Sequence, residues 1–411
     1  MLSPVLFLAA LISASALCLF TLSLKRDKVV GHSTLAAIRG LLSPQGSGLP
    51  ELLAQRARPN QRLVRAFGIT NTFVSSSTSI HQSFVAAARA LLNKANARGW
   101  EHFRDLTAQA VQIELAQHSD KIIEYSTFVQ SITLRVILVG LLGADSSVED
   151  FSREDILTAS NHINQLWALS KNPATIPSHL LPQLNASLRR LLPNVKSFPN
   201  PVDIVVPAWE TFWRVVAISV AYSHSDPRLQ QVFTDLYTSP QGATFKGEHL
   251  TDTDTPISAK DIVNEAMRLH PPSKHIGRLA QLRFPFRFFP TSVITLFVKF
   301  VSPSAVYVKE YADVQGVLLS PDIWGQDAAQ FNPWRYGVVP SADSGSQQDA
   351  LGFIFGGGKT KCIGASWAPV AAGVVCSAIF DELDNSGFAI QSGSVIGGRD
   401  GWVGWCLTKI R

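Results

Sequence analysis

The sequence predicts a mainly helical body with a small β region, carried behind one apolar N-terminal span. Three observations predict it. Apolar residues recur at helical spacing through residues 102–170 and again through 203–222. The chain after Pro272 reads as strand, and the run from Phe284 to Val301, crowded with Phe, Leu, Ile and Val, reads as buried sheet or a membrane-dipping surface. Leu2 to Leu24 is uncharged and, at about 1.5 Å rise per residue, long enough to cross the hydrocarbon core of a bilayer.

Composition narrows the function classes. A chain of 411 residues is ample for one large core, and 46% apolar against 16% charged residues agrees with membrane contact. The net charge of +5 comes without a long basic run or a recognition motif, so nothing supports nucleic-acid binding; an acidic protein partner or an anionic membrane face suits it. Four cysteines, at 18, 362, 376 and 406, form neither a disulfide framework nor a zinc pair, which points to a reducing compartment.

Taken in order, the span is followed at once by Lys25, Arg26 and Lys28 and preceded by no basic side chain, which places that flank in the cytoplasm. A cleaved signal peptide is the alternative, with small residues at Ser13 to Ala16, but its basic leading region is missing. The expected organisation is an anchor over 1–24, a linker over 25–50 containing Gly31, Pro44, Gly46 and Gly48, and a single catalytic body over 51–411. Glu51 to Phe67 reads as a basic helix broken near Pro59, its Arg56, Arg58, Arg62 and Arg65 on a solvated face, with contact to anionic lipid as the alternative. Ser77 opens a helix through Ala95 that carries His81 near its start. Phe103, Leu106 and Ala110, then Phe128, Ile132 and Leu134, mark core helices. Six prolines between 171 and 202 are expected to leave short pieces bordering a cavity.

Asp203 to Tyr222 is a long apolar helix interrupted at Pro207-Ala208-Trp209-Glu210-Thr211. A proline inside a helix removes one hydrogen bond and opens the preceding turn. Glu265 and Arg268, three apart on one helix face, are followed by an early stop at Pro271-Pro272. Further on, Asp322 to Ala328 leads into Phe331-Asn332-Pro333-Trp334-Arg335, and a guanidinium fork there is suited to locking a carboxylate. Last comes Phe355-Gly356-Gly357-Gly358-Lys359-Thr360-Lys361-Cys362-Ile363-Gly364. Three glycines let the backbone turn tightly and approach a flat ligand. A thiolate at the start of the following helix would be stabilised by free amides and the helix dipole, and can ligate heme iron. On this loop alone a structural cysteine in a glycine-rich turn is equally admissible; the order of the motifs upstream decides against it.

That order resembles the cytochrome P-450 superfamily over roughly residues 50–411, and the anchor with the Pro-Ala-x-Glu-Thr wording looks like microsomal fungal members. Phe355, Gly356, Gly358, Cys362 and Gly364 match the family's heme-binding loop. Glu265, Arg268 and Arg335 match its structural triad, and Glu210 with Thr211 its acid and alcohol beside the dioxygen groove. His81 and Arg278 stand where the family binds heme propionates. Two positions depart: Pro207 replaces a small residue, and Thr360 replaces the arginine or histidine two before the cysteine, which weakens a propionate contact or shifts it to Lys359.

The resemblance implies a mainly α fold with a small β region, holding heme b (iron protoporphyrin IX) through Cys362 as axial ligand. It implies a monooxygenase that inserts one atom of dioxygen into a small lipophilic or secondary-metabolite substrate, with Thr211 and Glu210 as proton relay. No dinucleotide-binding GxGxxG is present, so NADPH serves only through a separate flavoprotein reductase, docking near Lys359 and Lys361. The place implied is the endoplasmic reticulum membrane, single-pass, with a cytosolic catalytic domain. An electron-independent heme-thiolate isomerase or dehydratase is the alternative that Thr211 and Glu210 argue against. A non-catalytic heme-binding membrane protein is the one that Cys362, Glu265 and Arg268 argue against.

Overall fold

The structure, a computed structural model, describes residues 29–117, 122–247, 249–250, 256–281, 307–337, 344–399 and 401–410. The expected anchor over 1–24, its basic flank and the Phe284 to Val301 run lie outside them. The first described residues correct the expected linker. Val29–His32 is a strand, β1, and Leu35–Leu42 a helix, α1, capped by the Thr34 hydroxyl on the Ala37 amide. Leu35, Ile38 and Leu42 share one helix face, and the last two are fully buried. Gly31 is there for close approach: a Cβ on it would lie 2.7 Å from the Tyr311 hydroxyl oxygen.

Two helices follow, α2 (Leu49–Ala57) and α3 (Gln61–Phe67), separated at the expected Pro59 break. The long helix α4 (Thr78–Ala116) starts at the Ser77 cap and bends at Gly99, whose φ of 85° is left-handed. It is followed by β2 (Ile123–Glu124), α5 (Tyr125–Val136) and α6 (Arg153–Ser170). The proline-rich region departs from expectation: Leu180–Leu191 is one amphipathic helix, α7. Its Pro182 sits in the first turn, where an amide has no intrahelical partner to lose.

The apolar stretch forms α8 (Val202–Trp209) and α9 (Phe212–Ser223), divided at Glu210 and Thr211. Together these 22 residues are apolar and long enough to cross a membrane, yet they are buried within the body and serve as its central helix. Next come α10 (Pro227–Thr238) and α11 (Ala259–Leu269), the latter opened by a reciprocal cap between Ser258 and Asp261. Strand β3 (His275–Gln281) pairs antiparallel with β4 (Tyr307–Asp313), which pairs parallel with β1. After the cysteine loop, α12 (Ala368–Ser386) runs through the core, packed by α4, α9, α10 and α11. Its middle, from Ala371 to Ile379, is wholly buried. Strands β5 (Phe388–Gln391) and β6 (Cys406–Lys409) close the chain as a second small sheet with β2. The core is therefore helical, with three small sheets among the described residues, and the cysteine loop packs on the end of α1 ahead of α12.

Candidate functional site

The loop is pinned by the Cys362 amide donating to the Phe355 carbonyl at 2.8 Å. Gly356 and Gly358 adopt φ of 75° and 56°, which side-chain-bearing residues rarely do. Gly358 is also a contact glycine, since a Cβ there would come within 2.6 Å of Ser43 Oγ beyond the end of α1. The loop's tightness thus serves its packing on α1. The helix expected directly after the cysteine begins only at Ala368, with a 3₁₀ turn over Ile363–Ala365 between. The Cys362 thiol reaches solvent. Protein walls around it nonetheless push its pKa up, against the smaller opposing effects of the Gly364 amide and Lys361.

Beside the loop lies a cationic cluster. Arg278 of β3 is buried and donates to the Thr360 hydroxyl at 3.4 Å and to the Gly277 carbonyl at 3.0 Å. Arg56 of α2, also buried, donates to the Thr72 carbonyl at 2.7 Å and hydroxyl at 2.6 Å. That hydroxyl is 2.8 Å from His81 Nδ1. Burial lowers the Arg278 pKa to about 10, and burial, with the neighbouring Arg278 second, lowers that of Arg56 to about 10. Burial and Arg56 together lower that of His81. The Nε of each arginine is buried without an acceptor, and among the described residues neither has a carboxylate partner. Lys359, where a contact was expected to shift, instead reaches the Ser47 carbonyl on the surface.

At the helix break, Glu210 is held on both oxygens. Arg214, one turn on, lies 3.3 Å from Oε2, and Arg399 bonds Oε1. The carboxylate is only 2% exposed. Thr211 is partly exposed and its hydroxyl does not cap the helix it precedes. Phe212 meets Trp367 at 6.5 Å, and Trp367 meets Trp100 at 5.6 Å and Phe103 at 5.4 Å, so an aromatic cluster joins the break to the end of the cysteine loop.

The third constellation is closed on itself. Arg268 grips Glu265 with two bonds, at 2.7 and 2.8 Å, and Arg335 reaches the same carboxylate at 3.1 Å. The Asn332 amide and the Tyr336 hydroxyl complete it at 3.0 and 3.1 Å. Arg335 also bonds Asp327.

Comparison with solved structures finds the same architecture. The crystal structure of CYP175A1 from Thermus thermophilus aligns with a TM-score of 0.60 over 93% of this chain and 89% of that one, at 14% identity. The chain has the cytochrome P-450 fold. The heme domain of a cytochrome P-450DA variant aligns with a TM-score of 0.57 over 88% of this chain and 86% of that one, also at 14% identity. Cytokinin hydroxylase of Arabidopsis thaliana is 29% identical over 128 residues, which are 31% of this chain and 21% of that protein; the match thus spans about a fifth of the relative's length. No protein-family model matches the chain.

Within this P-450 fold the chemistry of these residues suits a cofactor that carries carboxylates and a metal: an accessible thiol, and two buried guanidiniums whose Nε donors have no acceptor among the described residues. Sequence reasoning places one of these, Arg56, on a solvated face. The available signal to the contrary is its position: Leu52, Leu53, Arg56 and Ala57 form one buried stripe of α2. Arg214 gives a similar signal, as a cation one turn from Glu210 in an otherwise apolar helix. Tyr336 and Arg399 give none.

Proposed function

We propose that the chain is a heme-thiolate monooxygenase that acts on a small lipophilic substrate with electrons from a separate NADPH-dependent flavoprotein reductase. The observation that carries this reading is the accessible Cys362 thiol beside the unmatched, buried Arg56 and Arg278. Cys362 would hold the iron of heme b, and Arg56, Arg278 and His81 the propionates. When bound, the heme supplies dioxygen activation, one atom going to substrate and one to water.

The chain's own residues would then manage protons and position. The Thr211 hydroxyl, free of a capping duty, is suited to holding a water and passing its proton at the helix break. Glu210, gripped by two guanidiniums, is better suited to fixing that break than to moving as a proton carrier. The exposed Lys359 and Lys361 beside the loop offer a basic face to an acidic reductase. The span over 1–24 would anchor the protein in the endoplasmic reticulum with this body in the cytosol.

Two measurements test the reading. Reduced wild-type protein under carbon monoxide is expected to give the red-shifted Soret band of a thiolate-ligated heme, and Cys362→Ala is expected to lose it. A variant that keeps the band removes Cys362 from the role. With reductase, Thr211→Val is expected to keep heme but send more NADPH-derived electrons to hydrogen peroxide, about tenfold or more if one proton-relay hydroxyl is lost. Turnover that never needs NADPH or dioxygen would replace the monooxygenase with an isomerase.

A further inference from the structure

Arg399 stands in the loop between β5 and β6, 189 positions from Glu210 in sequence, and bonds Glu210 Oε1. Its guanidinium lies 5.0 Å from the ring of Trp167 on α6, and Arg62 of α3 lies over the same ring at 5.0 Å. Arg62 also donates to Ser170 at the end of α6. Lys171, next along, has Arg399, Arg62, Arg214 and Lys274 as positive neighbours. The carboxylate of Glu210 therefore sits at the edge of a cationic group drawn from α3, α6, α9, the start of β3 and the C-terminal loop. Arg214 reaches its other oxygen and also donates to the Pro272 carbonyl at 3.2 Å.

A carboxylate this buried stays ionised only while its cations remain. Each guanidinium removed favours the neutral acid. We propose that Arg399 is a positioning residue, set in place against Trp167, that pins the Glu210 carboxylate at the helix break next to Thr211 and keeps it charged across the neutral range. For its kinetic consequence this rests on the monooxygenase reading above. With Arg399 present, proton supply at Thr211 does not vary with the charge of its neighbour. Without it, only Arg214 is left to favour the charged form, and the supply becomes pH-dependent.

The test uses the full chain with reductase and NADPH and no added substrate, reading hydrogen peroxide released per NADPH consumed against pH. Wild type and Arg399→Lys are expected to give flat profiles. Arg399→Gln is expected to show a pH-dependent limb of about threefold to tenfold, and Glu210→Gln combined with Arg399→Gln to lose that limb. A flat Arg399→Gln profile, or a limb that survives the double substitution, overturns the proposal, because a packing defect alone would shift every pH equally. A thermal double-mutant cycle over wild type, the two single Gln variants and the double variant reads the pair without turnover: non-additive shifts support the pinning and additive shifts overturn it. Should wild type show neither the thiolate carbonyl band nor NADPH oxidation, the monooxygenase reading falls, and this cycle alone decides whether Arg399 holds Glu210.

Discussion

Arg268 and Arg56 are both buried guanidiniums, and their surroundings answer them in opposite ways. Arg268 spends every nitrogen inside the protein: on both oxygens of Glu265 and on the carbonyls of Leu318, Ala328 and Gln330. Among the described residues Arg56 hydrogen-bonds only Thr72, keeps an orphaned Nε, lies over the Phe73 ring, and has another cation, Arg278, for a neighbour. A closed polar network lowers the energy of the fold by itself. An open one costs stability until something anionic arrives, because desolvated donors without acceptors are unfavourable. On the proposed reading the first cluster holds the chain and the second receives a ligand.

The largest expected effect follows from breaking the closed cluster. Arg268→Ala takes two hydrogen bonds and the nearer of two cations from a carboxylate that is 0% exposed, and removing one partner of such a pair costs about 3–5 kcal/mol. Against a typical total of about 5–15 kcal/mol, much of the soluble folded protein should be lost. Urea unfolding, or yield where the variant is too weak to titrate, reads this out. A cost below about 1 kcal/mol would mean that Glu265 is better solvated than its contacts indicate.

A crossed result should follow at the open cluster. Arg56→Met keeps the length of the side chain and removes an unmatched charge, so the heme-free protein should be as stable as wild type or slightly more so. Heme retention should fall by about 10- to 100-fold, the loss of one charge-assisted bond of about 1.5–3 kcal/mol. The rate of heme transfer to an excess of an apo heme protein measures it. If heme-free Arg56→Met were as destabilised as Arg268→Ala, the division into holding and receiving clusters would be wrong.

The same division explains what can be read from sequence. Glu265, Arg268 and Arg335 are legible because two of them share a helix face, where spacing fixes geometry, and the third lies in a short motif. The cysteine loop is legible because it stands last in an ordered set of motifs, and its glycines alone would not have singled it out. Arg56 is misplaced because a charge is assigned to solvent by default, and only its place on the apolar stripe of α2 says otherwise. Val29 to Leu42 reads as linker because its glycines outweigh its helical apolar face, while the partner strand that orders it lies at Tyr307–Asp313. The Arg399 contact with Glu210 depends wholly on where a distant loop comes to rest. Long-range contacts between elements without a local pattern leave no mark in the residues themselves.

The last effect, confined to acid pH, tests the closed side of the comparison at its rim. His270 ends α11 directly after Leu269, 2.8 Å from the Tyr222 hydroxyl through Nε2. Burial, helped by nearby Lys274, lowers its pKa from 6.5 to about 4. In the unfolded chain the imidazole takes a proton as pH falls below 6.5, while the folded protein refuses it until about 4. The unfolded state thus binds more protons within that window, so stability is fully present above it and drains away as pH falls through it. At about 1.4 kcal/mol per unit the whole loss is roughly 2–3 kcal/mol, allowing for partial exposure. His270→Gln keeps a hydrogen-bonding partner for Tyr222 and does not titrate. Carboxylates titrate in the same range in both proteins, so the quantity to follow is the difference in unfolding free energy between wild type and variant. That difference should move steadily in favour of the variant as pH falls, and a difference that stays constant would show that His270 is not held neutral by its surroundings.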